Sequence, residues 1–485
     1  MKYVITLLLL SISLITVAQP VVYQGFEVDS AATPRGGMPF LSTFFQANLR
    51  KPVAAEAEGK GGRVILSAII EPDGQPSDVK VVQAFRPDCG REALRVFSRF
   101  RAWKPAYKDG KPVRQAVTIP VTFPKNEPFI YENGAKITYY DAKEQLLPDS
   151  SDQARYRQVA PVDTNGLPTS DILISEWKKN GWKEVNKVPL IRKKTSERTD
   201  KGTAIYSLDF QIPNGPYEGI VYHVDEDGNR VKQVLSLDNA KSGYELVFHQ
   251  NGIVARQTRF GEDRNTVTTW HPNGQIEFIG SIDRKTSFYV FSYDEADSFW
   301  DSTGRQLVSN GTGPATYRKS VQSSGDTLRR IEFIEQGSYA GGVKQGVWTG
   351  RYADGSYVYE EVYDKGVMKQ GKAVSAGKDT IRYDVREQQA EFAGGITKLG
   401  QFLGQNISYP AEAQRTRVQG RVFVSFVVCT DGSLCDYEIV KSLSPDVDKE
   451  ALRVVKAMSG KWTPGYRRGE AVRVKYNLPI NFTLN

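Results

Sequence analysis

The sequence predicts an α+β chain in which two small helix-backed antiparallel-sheet domains flank a β-hairpin repeat region. Three observations carry this. A block of about 95 residues near one end recurs near the other at a constant offset. Within each copy, alternating apolar runs bracket one amphipathic helical stripe. Between the copies, Asn-Gly and Asp-Gly turns recur among aromatic residues and glycines.

The duplication is explicit. With Gly36-Gly37 placed against Gly394-Gly395, an offset of 358 runs without a gap for about sixty residues. Leu41 meets Leu399, Asn48 meets Asn406, Pro52 meets Pro410, Asp73-Gly74 meets Asp431-Gly432, and Glu92 to Val96 meets Glu450 to Val454. One inserted residue later, Trp103, Pro105, Gly110, Pro120 and Phe123 meet Trp462, Pro464, Gly469, Pro479 and Phe482.

The C-terminal copy reads as helix, hairpin, helix, strand. Thr397 to Gln405 has helical character, and Val422, Val424, Phe426 and Val428 alternate along one strand face. Asp431-Gly432 signals a hairpin turn, and a second strand follows at Tyr437 to Lys441. Ser444-Pro445 offers an N-cap followed by a first-turn proline. Val447, Ala451, Val454, Val455 and Met458 fall on one helical stripe that Gly460 closes. In the last strand Val474, Tyr476, Leu478, Ile480 and Phe482 point inward. Pro479 marks that strand as an edge, because proline cannot donate to a ladder. A bare edge can pair with an extended peptide.

These motifs resemble those of the TonB C-terminal domain family. The series is Phe392-Ala393-Gly394-Gly395, Tyr409-Pro410, Gly420-Arg421-Val422, Asp431-Gly432, Glu450-Ala451, Trp462-Thr463-Pro464-Gly465 and Leu478-Pro479-Ile480-Asn481-Phe482. The resemblance implies a Gram-negative periplasmic domain that grips a box peptide of an outer-membrane transporter against its last strand. Carried over, it implies peptide-binding roles for Asn406, Tyr409, Pro410, Arg473, Val474, Lys475, Tyr476, Asn477 and Leu478. The N-terminal copy departs from the pattern, with Lys51 in place of Tyr409 and Gln115 in place of Val474. Its fold is expected to survive, with its peptide contact in doubt. Cys89 takes the place of Val447 and reads as a small buried hydrophobe.

The domain boundaries expected are 1–18 for a signal peptide, 30–126 for the degenerate copy, 127–207 for a mixed connecting region, 208–375 for the repeats and 390–485 for the C-terminal copy. Lys2, the apolar stretch Val4 to Val17 and Thr16-Val17-Ala18 read as a cleaved secretory leader, hence a periplasmic protein. If the segment is retained, the chain is membrane-anchored, although fourteen residues fall short of the roughly 20 a spanning helix needs. The 24 prolines are scattered, with no rod-like Pro-rich spacer. This favours a binding or adaptor protein over an energised transducer. Cys429 and Cys435 flank a turn, leaving open a disulfide or two free thiols.

Between the copies, Thr169 or Ser170 could cap a helix running to Asn180, with Gly181 closing it. Asn251-Gly252 and Asn273-Gly274 lie 22 residues apart, and Asp301 to Gly304 and Gly346 to Gly355 echo them. The region is similar to degenerate MORN-type hairpin repeats, which implies a scaffold or binding surface.

The net charge of +8 is spread along the chain, so nucleic acid is not an expected partner. No nucleophile elbow, zinc-helix, phosphate-loop or dinucleotide motif occurs, and His249 and His271 occupy equivalent turn positions. The expectation is a non-enzyme without cofactor or metal. The rival reading is a non-energised envelope scaffold that binds peptidoglycan or membrane through its repeats.

Overall fold

The structure is a computed structural model that describes residues 21–148, 151–199, 201–210, 219–237, 242–283, 293, 295–322 and 330–484. The predicted leader, 1–18, lies outside the described residues. Among the described residues no helix is long and apolar enough to cross a membrane. The chain forms two compact units, Met1–Lys285 with Phe299–Gln306, and Thr286–Ser298 with Leu307–Asn485.

In the first unit the N-terminal copy folds as the alignment predicts. Helix Gly37–Asn48 and the short helix Val53–Ala57 precede the hairpin Gly62–Ile70 and Pro76–Ala84, then helix Pro87–Phe97 and the long strand Lys111–Phe123. Val64, Leu66, Ala68 and Ile70 alternate inward against Cys89, Ala93, Val96 and Phe97 of the helix. Cys89 is fully buried, and burial, with Asp88 adding, pushes its thiol pKa up to about 11. It packs as a hydrophobe.

The Asp-Gly and Trp landmarks turn out to be one structural element. Gly74 has φ +80°, and a Cβ there would lie 2.4 Å from the Trp103 carbonyl oxygen. In the other copy Gly432 repeats the φ of +80°, and the Trp462 carbonyl oxygen lies 2.2 Å from the same point. Only glycine satisfies both the left-handed turn and the close approach.

The N-terminal copy is seated on the hairpins that follow it. The Asn48 carboxamide donates to Phe44 O (2.9 Å) and accepts the Val254 N–H (2.7 Å). Phe40 meets Trp300 edge-on at 5.0 Å, and the core of the copy continues through Phe248, Ile253, Val254, Trp270 and Ile276. The hairpins are locked to one another through their turns. His249 Nε2 bonds Trp270 O at 2.7 Å and His271 Nε2 bonds Trp300 O at 3.0 Å, while Asn251 and Asn273 donate to Pro272 O and Ser302 O. The histidines are therefore struts between successive turns.

The helix expected over 170–180 is not formed. Ile172–Lys178 and Gly181–Val188 make a hairpin, with Glu176 opposite Lys183 and Trp177 opposite Trp182. The cross-strand Trp177–Trp182 contact at 5.3 Å outweighs the capping signals. A run of antiparallel strands then extends from Leu190–Arg198 to Ile276–Asp283.

In the second unit, strands from Gly313–Gln322 to Ile381–Tyr383 pair in sequence order. Small and large residues alternate across them. A Cβ on Gly337, Gly350 or Gly371 would strike the ring of Trp348, Tyr359 or Tyr383 respectively. The C-terminal copy follows, with helices Gly395–Asn406 and Pro445–Lys456 on one face of a sheet ordered Leu434–Lys441, Gly420–Val428, Val474–Phe482. Val447, Ala451, Val454, Val455 and Met458 are fully buried. Ser444 precedes that helix without a side-chain cap bond. Asp448 instead reaches back to the Leu443 N–H at 3.0 Å.

One buried cation ties the C-terminal copy to its own strand run. Arg468, at the tip of the hairpin Gly465–Arg467 and Glu470–Val472, donates through Nε to Glu361 Oε1 at 2.7 Å. Its guanidinium lies 3.6 Å from the Tyr359 ring centre, and Tyr363 and Tyr383 hydroxyls complete the Glu361 carboxylate. Burial opposes the Arg468 charge, but Tyr359 and Glu361 hold its pKa well above the ordinary arginine value.

Two outcomes follow. Arg468→Met leaves Glu361, 0% exposed, without its cation and is expected to cost the second unit about 3–5 kcal/mol. An unchanged denaturation midpoint would show that the pair is no anchor. Asn48→Ala leaves the buried Val254 N–H unpaired and is expected to cost about 1–3 kcal/mol, whereas Asn406→Ala at the aligned half-buried position should cost less. Equal losses would contradict the seating of the N-terminal copy.

Candidate functional site

The candidate site is the outer edge of Val474–Phe482. This strand is antiparallel to Gly420–Val428 over its whole length, from Val428 opposite Val474 to Gly420 opposite Phe482. Among the described residues no strand pairs with its other side. Pro479 stands opposite Phe423. A proline is accommodated there when its nitrogen faces away from the partner, and backbone direction alternates along the strand. The backbone groups of Lys475 and Asn477 therefore face outward too.

Tyr476 and Leu478 belong to the inner face. Tyr476 stacks on Phe426 at 5.7 Å and meets Trp462 edge-on at 4.9 Å, and Leu478 is buried. They brace the strand from behind. Lys475 and Asn477 are exposed. Arg473 pairs with Asp436 at 2.5 Å and Lys475 with Glu438 at 3.7 Å, so ion pairs tie this strand across the sheet's outer face. Cys429 and Cys435 are joined by a disulfide across the adjoining turn, and the Arg473 guanidinium lies 3.4 Å from the Cys435 sulfur.

The Tyr-Pro segment sits at the other end of the strand. Tyr409 meets Phe482 edge-on at 5.7 Å and donates its hydroxyl to Val418 O. Pro410 opens the helix Ala411–Arg415, its carbonyl accepting the Gln414 N–H at 2.9 Å. The eight steps from Val474 to Phe482 span roughly 26 Å. Tyr409 and Arg473 thus mark opposite ends of the edge.

Asn406 is used inside the domain. Its side chain donates to Phe402 O at 2.8 Å and its carbonyl accepts from Arg453 at 2.6 Å. Arg453 is held by Glu450, which also accepts the Ser408 N–H at 2.6 Å. Arg453, against the cost of burial and with help from Ser408, holds the Glu450 carboxyl below its ordinary pKa. The same network recurs as Glu92, Arg95, Arg50 N–H and Asn48 O. The repeated Glu-Ala-Leu-Arg motif is therefore a clamp on the segment that leads to Tyr409.

The N-terminal copy treats the equivalent edge differently. Val22–Tyr23 adds to Lys111–Phe123 as a parallel strand, with Val22 opposite Arg114 and Tyr23 opposite Gln115. Gln115 is 5% exposed, and its side-chain oxygen accepts the Ala32 N–H at 2.6 Å. Lys108 lies 4.4 Å from the Tyr23 ring centre. Gln115 is the residue that replaces Val474, so the departure from the motif serves the chain's own N-terminal segment. Lys51, in place of Tyr409, donates to Pro124 O at 3.1 Å. At the offset of the duplication, Val22–Tyr23 corresponds to Thr380 and Ile381. Ile381 pairs with Ala373 of the preceding strand and does not reach the edge.

This strand addition leaves no periodic signal in the sequence, since two residues carry no periodicity. The Gln115 departure was its available trace.

Comparison with known proteins finds the same family in both copies. The family model for the Gram-negative bacterial TonB protein C-terminal matches residues 48–124 and 405–484. Two solution structures of the Helicobacter pylori TonB C-terminal domain also match. One is 26% identical, covering 19% of this chain and 80% of that one, with a TM-score of 0.16. The other is 27% identical, covering 18% and 91%, with a TM-score of 0.15. No curated protein matches. The matched module is a protein-interaction domain of envelope proteins. The chain thus carries two copies of the TonB C-terminal domain, one in each of its compact units.

Proposed function

We propose that this is a periplasmic, TonB-type protein that binds an extended peptide of an envelope partner, an outer-membrane transporter, along the outer edge of Val474–Phe482. The observation that carries the reading is the contrast between the copies. The N-terminal copy's edge accepts Val22–Tyr23, while the equivalent edge of the C-terminal copy has no strand beside it among the described residues. An edge already built to take an extended segment in one copy is a receptor surface in the other.

In this reading the outward backbone groups at Lys475 and Asn477 supply the pairing bonds. Arg473 and Val474 receive one end of the peptide, and Tyr409 and Pro410 lie beside the other. Tyr476 and Leu478 hold the strand flat from the inner face, and Asn406 acts through the clamp that sets Tyr409. A leader removed after residue 18 would deliver the protein to the periplasm, and N-terminal sequencing of the mature chain tests that step.

Asn477→Pro removes an outward N–H and leaves the ladder to Gly420–Val428 in place. The variant is expected to melt close to the parent and to lose at least tenfold in affinity for a transporter box peptide, measured by fluorescence anisotropy. Undiminished binding by a folded Asn477→Pro variant would refute edge pairing.

A further inference from the structure

The first unit contains a cavity of about 690 Å³ between the N-terminal copy, the turn at 163–167, and the hairpin tips at 225–231 and 247–252. Arg50, Arg95, Arg99, Arg198 and Arg230 line its wall. Arg50 Nη2 donates to Gly252 O at 3.5 Å, and the group lies 5.1 Å from the Phe248 ring centre. Arg99 Nη1 lies 3.9 Å from the point where a Cβ on Gly252 would stand. Arg230 donates to Asn165 O at 2.5 Å and lies 5.0 Å from the Tyr222 ring centre, and its Nε is buried without a hydrogen-bond partner.

The carboxylates of the wall are committed elsewhere. Asp163 accepts the N–H groups of Asn165 and Leu167, and Asp225 those of Asp227 and Asn229. Glu197 pairs with Lys232 at 3.1 Å, and Asp227 is exposed at its turn. Among the described residues none of them forms an ion pair with Arg50, Arg99 or Arg230. Burial, reinforced by Arg230 and Arg95, pushes the Arg50 pKa down to about 10, and burial lowers those of Arg99 and Arg230 as well.

Half-buried guanidinium groups that make no ion pair among the described residues present unneutralised positive charge to the cavity, and their planar forks match oxyanion geometry. We propose that this cavity binds a small multivalent oxyanion, of the phosphate or polycarboxylate class, held by Arg50, Arg99 and Arg230. The assignment is independent of peptide pairing at the C-terminal edge.

Isothermal titration of the full chain with pyrophosphate and, separately, with citrate tests it, against sodium chloride at matched ionic strength. Saturable one-site binding of at least one of the two is expected, and the tighter one names the class. Arg50→Gln should weaken it about tenfold or more. Arg99→Gln, at a partly exposed helix end, should weaken it in the same sense and decides the matter if Arg50→Gln does not fold. Absence of saturable binding by both anions, or unchanged affinity in a folded Arg99→Gln variant, would overturn the proposal.

Discussion

A sheet edge offers unpaired N–H and C=O groups, and the two TonB C-terminal domains of this chain meet that constraint in opposite ways. The N-terminal copy pairs Arg114 and Gln115, at one end of the edge of Lys111–Phe123, with Val22–Tyr23, and the Gln115 side chain accepts the Ala32 N–H. The C-terminal copy sends the equivalent residues to its hairpin run, where Ile381 pairs with Ala373. Its edge is marked by Pro479 and by the charged side chains of Arg473 and Lys475. Those features discourage indiscriminate pairing while leaving the outward groups of Lys475 and Asn477 available.

The hairpin runs are the supports that make this division possible. In the first unit, Asn48 and the Phe40–Trp300 contact fuse the N-terminal copy with its hairpins into one core. In the second unit the contact is made by a different surface, the Arg468 hairpin tip buried against Glu361 and Tyr359. The same domain fold is thus held by its helix in one case and by its hairpin in the other. Holding by the hairpin leaves the helix Gly395–Asn406 largely exposed, with Leu399 its buried residue.

Much of the fold was legible because duplication doubled every signal. The helix stripe from Val447 to Met458, the alternation from Val422 to Val428 and the inward set ending at Phe482 are each local patterns backed by a second copy. What escaped was set by tertiary contact. Thr169, Ser170 and Gly181 carry helix-capping signals, yet Trp177 and Trp182 settle the segment as a hairpin. Arg468 aligns with Asp109, so the duplication gave no hint that one tip is buried. Asn406 aligns with Asn48, but what they share is the donation to the preceding phenylalanine carbonyl and a carbonyl held by the clamp arginine. The likeness there is structural, and a role in peptide contact does not follow from it.

Amide hydrogen exchange of the full chain, with and without a synthetic transporter box peptide, tests the contrast between the edges most directly. The account predicts new protection at the Lys475 and Asn477 amides and no change along Lys111–Phe123. Protection gained on Lys111–Phe123, or none on Val474–Phe482 at saturating peptide, would contradict it.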